Sequence, residues 1–232
     1  MKSKEMTTEL ERLIEVSSLP MCAIETQFAV DATVFNTSRF FTGDSAKRGT
    51  DTQEGSNVKL NAMVGVRTHI ITSFRVLEGT DHESRTLPDL VYQTRKNFTI
   101  EEVSADKGYI GTQNIVAIHG VGANPFIPFK INSKGEGSYY DTVDDAALVS
   151  KLFHFFSMNR ESFLKSYHQR SNIESAFSML KAKFGNSIRS KTKTARTNEV
   201  LCKVLCHNIY VLCMEIRKRN ITLDFTETKF NS

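Results

Sequence analysis

Residues 167–181 read YHQRSNIESAFSMLK, and the register of this stretch governs how the rest of the chain is read. At about 100° per residue, positions seven apart nearly eclipse one another on a helix. Tyr167, Glu174 and Lys181 therefore share one stripe, with Arg170 one turn before Glu174, provided the helix begins before Tyr167. Beside it runs an apolar stripe of Ile173, Phe177, Leu180 and Phe184. Such a helix packs on a sheet through the apolar stripe and presents the polar one along its edge. Two plainer readings stay open. Ser171 and Glu174 match the capping-box pattern, in which the helix starts at Ser171 and Glu174 is a cap. Arg170 and Glu174 also suit an ordinary surface ion pair.

Upstream, short apolar runs alternate with polar connections. Gln27–Thr33 predicts a strand, with Asp31 directly after Phe28, Ala29 and Val30. Lys59–Val66 and His69–Leu77 predict two strands close enough for a hairpin across Arg67 and Thr68. Thr99–Ala105 predicts a strand that ends at Asp106 in SADKGY, and Pro125–Phe129 a further one. Residues 36–57, rich in Ser, Thr, Gly and charge, read as a long loop. Helices are predicted over residues 5–16, Glu83–Lys96 and Gly111–His119, with Pro88 setting an early break or start in the second. The C-terminal part reads as helical: Asp144–Met158, Glu161–His168, Ser171–Phe184 and Asn198–Arg219. This order implies a mixed sheet with helices packed against it, an α/β or α+β layer architecture. There is no internal repeat and no low-complexity tract.

The chain has 232 residues and a net charge of +4, which suits one domain or one domain with a small appendage. A hydrophobic fraction of 40% is enough for a packed core and argues against disorder. The mild basicity permits a nucleic-acid partner without requiring one. Cys22, Cys202, Cys206 and Cys213 form no CxxC pair and read as small buried thiols in a reduced compartment. His207 sits about 100° round the helix from Cys206, which discounts a zinc site there. No run of apolar residues is long enough for a membrane span, and MKSKEMTTELERL lacks the apolar core of a signal peptide. The expectation is an intracellular protein with no membrane partner, cytoplasmic if bacterial or archaeal.

Asp31 and Asp106 both fall at predicted strand ends, where a rigid backbone lets side chains project into an active site. Taken singly, an aspartate there is more often a turn or cap residue. With Glu174 they make three carboxylates from two strand ends and a helix. Phosphodiester cleavage develops charge on the entering and leaving oxygens, and two Mg²⁺ or Mn²⁺ ions stabilise both. Hard carboxylate oxygens suit those ions.

Tyr167, Arg170, Glu174 and Lys181 reproduce the Tyr-x2-Arg-x3-Glu-x6-Lys signature of insertion-sequence transposases with a DDE catalytic domain. FAVDATVFNTSRF resembles that family's first-aspartate strand, SADKGYI its second-aspartate segment and PFIPFK the strand after it. EVLCKVLCHNIYVL is similar to the helix that closes such domains. The resemblance runs from about residue 20 to 218. It implies a ribonuclease-H-like mixed sheet flanked by helices, with Asp31, Asp106 and Glu174 as catalytic metal ligands for Mg²⁺ or Mn²⁺. It also implies hydrolysis at transposon ends and attack of the freed 3′-hydroxyl on target DNA. Tyr167, Arg170 and Lys181 would then contact phosphates near the cut, and His82 in GTDHES lies where the family often carries a polar residue. The implied division is an N-terminal remnant or linker helix over 1–20, the catalytic domain over 21–220 and a tail over 221–232. Two departures stand out. Little sequence precedes the first-aspartate strand to serve as an end-recognition region, and the insertion some members carry before the glutamate is absent.

Between Lys181 and Lys203 the cations Lys183, Arg189, Lys191, Lys193 and Arg196 are opposed only by Glu199. They surround GNSIRSKTKTARTN, read as a loop that could grip a DNA backbone, as could Arg39, Lys47 and Arg48 in the long early loop. Solvated helix faces are the plainer reading. The expected partners are double-stranded DNA, at transposon ends and target, and a second copy of the chain on DNA, near the nucleoid. Three functions remain in play: a cutting and joining transposase, a catalytically silent remnant that only binds DNA or a partner transposase, and a nuclease that cuts without joining.

Overall fold

The computed structural model describes residues 3–37, 57–78, 81–136 and 141–220. Arg39, Lys47, Arg48 and the tail 221–232 lie outside the described residues.

A central strand, β1 (Gln27–Thr37), runs antiparallel to β2 (Val58–Gly65), which pairs antiparallel with β3 (Ile71–Glu78). On its other side β1 runs parallel to β4 (Glu102–Ala105), and β4 is parallel to β5 (Asn124–Phe126). The sheet order is β3-β2-β1-β4-β5, and the short β6 (Ser187–Ile188) pairs with the far end of β1. The helices are α1 (Lys4–Ser18), α2 (Leu87–Arg95), α3 (Thr112–Gly120), α4 (Val143–Met158), α5 (Arg160–Tyr167), α6 (Ser171–Phe184) and α7 (Lys193–Arg219). This is a ribonuclease-H-like mixed sheet of six strands flanked by helices, an α/β fold. No helix among the described residues is long and apolar enough to cross a membrane.

Side chains alternate faces along a strand, and both faces of β1 are covered. Ala29 and Phe35, with Leu60, Ala62 and Val64 of β2, pack against Ile14 of α1, Ile173, Phe177 and Leu180 of α6, and Val200, Leu201 and Val204 of α7. Phe28 and Val30, with Met63, Val103 and Ala105, pack on the opposite face against Leu87, Leu90 and Val91 of α2 and Ile118 of α3. The N- and C-terminal helices are bonded to each other. Thr7 Oγ1 donates to Asn198 Oδ1 at 2.7 Å, and buried Asn208 donates to Ser17 Oγ at 3.0 Å.

The structure differs from the sequence reading in several places: β4 begins at Glu102 rather than Thr99, and β5 spans Asn124–Phe126 rather than Pro125–Phe129. β1 continues past Thr33 to Thr37, because β-branched and aromatic Val34 and Phe35 keep pairing with β2. The stretch read as a basic loop contains β6, and α7 begins at Lys193, where Thr192 Oγ1 accepts from Ala195 N at 3.4 Å. Buried Lys203 holds this connection closed: its ammonium donates to the carbonyls of Phe184 at 2.6 Å, Gly185 at 3.0 Å and Ser187 at 3.0 Å. All four thiols are free, but none is fully buried: Cys22 and Cys202 are half-buried and Cys206 and Cys213 exposed, since the buried stripe of α7 runs through Val200, Val204, His207 and Val211.

The β2–β3 turn is tied down by fully buried Glu25. Its carboxylate accepts from Arg67 N at 3.2 Å and Thr68 N at 2.5 Å. Burial pushes this carboxyl above its ordinary range, while the two amides and the Thr68 hydroxyl pull it back. Gly65 leaves the space that Glu25 fills: a Cβ there would lie 2.5 Å from Glu25 Cδ. Gly65→Ala is expected to displace the carboxylate and destabilise the fold by about 1–3 kcal/mol. The check is a lower urea midpoint at unchanged m-value; a wild-type midpoint would show that the turn has slack.

Candidate active site

The last pairing between parallel strands β1 and β4 joins Val30 to Ala105. The next residue on each strand is an aspartate. Asp31 stays on β1, opposite Ala62 of β2. Asp106 leaves β4 and starts a single 3₁₀ turn, Lys107–Tyr109, its Oδ1 accepting from Lys107 N at 2.7 Å. Parallel neighbours lie about 5 Å apart, so the two carboxylates rise side by side from one end of the sheet. Burial pushes the Asp31 carboxyl above its ordinary range. The Ala32 amide, donating to Oδ1 at 2.8 Å, and the Arg170 charge oppose that shift, while the Asp106 and Glu83 charges add to it.

Glu174 reaches this cluster through Arg170. The guanidinium forks: Nη1 donates to Asp31 Oδ2 at 2.7 Å and Nη2 to Glu174 Oε1 at 2.8 Å. The side chains of Arg170 and Asp31 are 21% and 25% exposed, against 59% for Glu174, so this is more than the surface pair that spacing alone allowed. The Arg170 carbon lies 6.0 Å from the centre of the Tyr167 ring. The capping-box reading of Ser171 does not hold. Ser171 is itself in helical conformation and its hydroxyl donates back to the His168 carbonyl at 2.9 Å. α5 passes into α6 through a 3₁₀ turn, His168–Arg170, without an extended capping residue, which brings Tyr167 and Arg170 to the same end of the sheet as Glu174.

An open cavity of about 320 Å³ adjoins the two aspartates, lined by Asp31, Asp106, Asp81, Glu83, Lys59 and His82 among others. His82, singled out from the sequence, is therefore at the site. Glu83, paired with Lys59, was not foreseen. Nor was Asn61, a fully buried polar residue in an apolar strand. Its amide donates to the Glu83 carbonyl at 3.0 Å and Thr86 Oγ1 at 2.6 Å, and its Oδ1 accepts from the Tyr109 hydroxyl at 2.9 Å. Burial raises the Tyr109 phenol, keeping it a donor. Asn61 thus pins the turn after Asp106 to the segment that carries Glu83. The one sequence signal was an asparagine at an inward position of VKLNAMVG.

The basic residues divide. Lys181 Nζ lies 5.8 Å from the centre of the Phe35 ring, four residues or about 13 Å along β1 from Asp31. Arg189 and Lys191 are exposed just after β6, which pairs with Asn36 and Thr37. Arg170, Lys181 and Arg189 therefore follow the length of β1. Lys183 turns instead to α7, its ammonium 3.7 Å from the centre of the Tyr210 ring. Lys193 and Arg196 sit on the first turns of α7, and Arg196 Nε donates to the Ser190 carbonyl at 3.3 Å.

The donor set fits a hard divalent cation. Carboxylate oxygens suit Mg²⁺ and Mn²⁺, and burial, with the Asp106 and Glu83 charges beside it, raises Asp31 although Arg170 is paired with it. In this arrangement no three such side chains among the described residues converge as a ready-made metal cluster. Arg170 stands between Asp31 and Glu174 instead.

The family pattern described as Transposase DDE domain matches residues 24–209. The chain belongs to this family. The match spans all six strands and reaches into α7, so the transposase domain includes both aspartates, Glu174 and the basic residues after it. No curated protein matches the chain.

The Asn61–Tyr109 bond is testable. In a double-mutant cycle with Asn61→Ala and Tyr109→Phe, the coupling in unfolding free energy is expected to be about 1 kcal/mol, that of one buried hydrogen bond. Strict additivity would show that the bond does not hold the turn.

Proposed function

We propose that this transposase domain carries out metal-dependent DNA cleavage at transposon ends and strand transfer into target DNA, with Asp31, Asp106 and Glu174 as its catalytic residues. The observation that carries the reading is the adjacency of Asp31 and Asp106 at the ends of neighbouring parallel strands, with Glu174 joined to Asp31 through Arg170. The three carboxylates would hold Mg²⁺ or Mn²⁺. Such ions supply charge stabilisation at the entering and leaving oxygens and activate the attacking water or 3′-hydroxyl.

The protein's own part is rigidity and orientation. Asp31 is fixed by the strand and by the Ala32 amide, Asp106 by the amide of Lys107, and Glu174 by a helix packed on the sheet through Ile173 and Phe177. Arg170, with Tyr167 beside it, would take the phosphate next to the cut, and Lys181, Arg189 and Lys191 the backbone further along β1. Lys183, Lys193 and Arg196 would contribute from the α7 side. The partners would be double-stranded DNA and a second copy of the chain, since joining both ends of an element calls for two sites. A domain acting on chromosomal DNA would work in the cytoplasm of a bacterium or archaeon.

Nicking of supercoiled plasmid in Mn²⁺ is expected to fall at least about 100-fold in Asp31→Asn and Glu174→Gln, the upper end of what even outer-shell partners of a metal cost. Wild-type rates in both would sink the site. Joined products from a 3′-hydroxyl duplex separate a transposase from a nuclease. Inactivity of the native chain, with DNA binding retained, would favour a silent binder.

The DNA track has its own signature. Each of Lys181→Ala and Arg189→Ala is expected to reduce the slope of log affinity against log salt by about one, measured by anisotropy on a labelled duplex. An unchanged slope would take that residue off the track.

A further inference from the structure

We propose that Arg170 is the resting site's own counter-ion, and that DNA phosphate draws it away, so that metal loading and DNA binding are coupled. This rests on the reading of Asp31, Asp106 and Glu174 as metal ligands. The two arms of one guanidinium end on carboxylates from two different elements, β1 and α6. The oxygens they occupy, Asp31 Oδ2 and Glu174 Oε1, face each other across the group. A cation shared by Asp31 and Glu174 would compete with Arg170 for these atoms and be repelled by its charge.

The charge balance points the same way. Arg170 sets one positive charge against two of the three carboxylates, so a cation approaching Asp31 and Glu174 meets that charge first. With Arg170 in place, Asp106, at the end of the strand beside β1, is free of it. Its Oδ1 is bonded to the Lys107 amide, and no side chain among the described residues neutralises it. The resting site therefore leaves Asp106 to a cation, while Arg170 occupies one oxygen of Asp31 and one of Glu174.

DNA offers the guanidinium an equivalent partner, because arginine pairs with phosphate through the same fork it uses on carboxylate. Little reorganisation is needed. Arg170 is at the last residue of the 3₁₀ turn, at the outer end of α6, and its side chain is still one-fifth exposed. The Tyr167 ring lies beside it. Moving Arg170 to a phosphate frees both oxygens at once. By linkage, what DNA does to metal affinity, metal does equally to DNA affinity. A site of this kind stays poorly loaded, and quiet, until a duplex lies across it.

The test is Mn²⁺ affinity of the full chain, read from the loss of the free-ion paramagnetic signal, with and without a blunt duplex and with the duplex-only titration subtracted. The wild-type chain is expected to bind Mn²⁺ at least about fivefold more tightly when the duplex is present. Arg170→Gln is expected to reach that tighter affinity without DNA and to gain little from it. Arg170→Lys, which keeps the charge but not the fork, should fall between the two. Asp31→Asn should bind weakly throughout. If Arg170→Gln binds no more tightly than wild type without DNA while Asp31→Asn has lost the ion, the coupling is wrong and the metal reading stands. If Asp31→Asn binds as wild type does, the metal reading fails and the coupling with it.

Discussion

The site depends on a mismatch in length between two neighbouring strands. β1 is 11 residues long and β4 only 4, so their parallel ladder ends at Val30 and Ala105 while β1 continues beside β2. At that step one side of β1 loses its β4 neighbour. Asp31 is the first residue past it, held by a continuing strand yet open toward the turn that Asp106 begins. The 3₁₀ turn that carries Arg170 packs over the same step, against both β1 and β4. Had β4 run on, it would have covered the position that the two aspartates share.

A cluster of this kind works against the stability of the domain that holds it. Asp31, Asp81, Glu83 and Asp106 line one cavity, with Lys59 as the cation on its wall and Arg170 behind Asp31. Partial burial of like charges is unfavourable unless each finds a donor. Here the donors are the main-chain amides of Ala32 and Lys107, which cannot move away, and the side chains of Arg170 and Lys59. The compensating free energy comes from the two apolar layers on either face of the sheet, one of which reaches the cluster at Tyr109.

Much of this was readable from residue order, and the limits follow from range. Helices α3 to α6 lie within a residue of their predicted spans, because apolar periodicity and caps are local signals. The Tyr167, Arg170, Glu174 and Lys181 register was legible for the same reason, although the capping box competed with it until Ser171 proved helical. Asn61 was not legible, since its partners Glu83 and Tyr109 lie 22 and 48 residues away. β6 is two residues long and exists because Asn36 and Thr37 are there to receive it. Lys183 belonged to an evenly basic run, and only the position of Tyr210 on α7 turns it from the track that Lys181 follows.

The contacts between α1 and α7 span nearly the whole described chain: Thr7 meets Asn198 and Ser17 meets Asn208, each 191 residues apart. α6, which carries Glu174, is held against the sheet partly by the same α7, whose Lys203 fastens the connection between them. During synthesis the two aspartates emerge long before α6, which carries Glu174. A ribosome-bound chain that has released only its first half can neither close the core around α1 nor bring Glu174 to Asp31. The packing that holds α6 on the sheet, and with it the Arg170 bridge from Asp31 to Glu174, is therefore complete only when α7, clear of the ribosome, has joined the core.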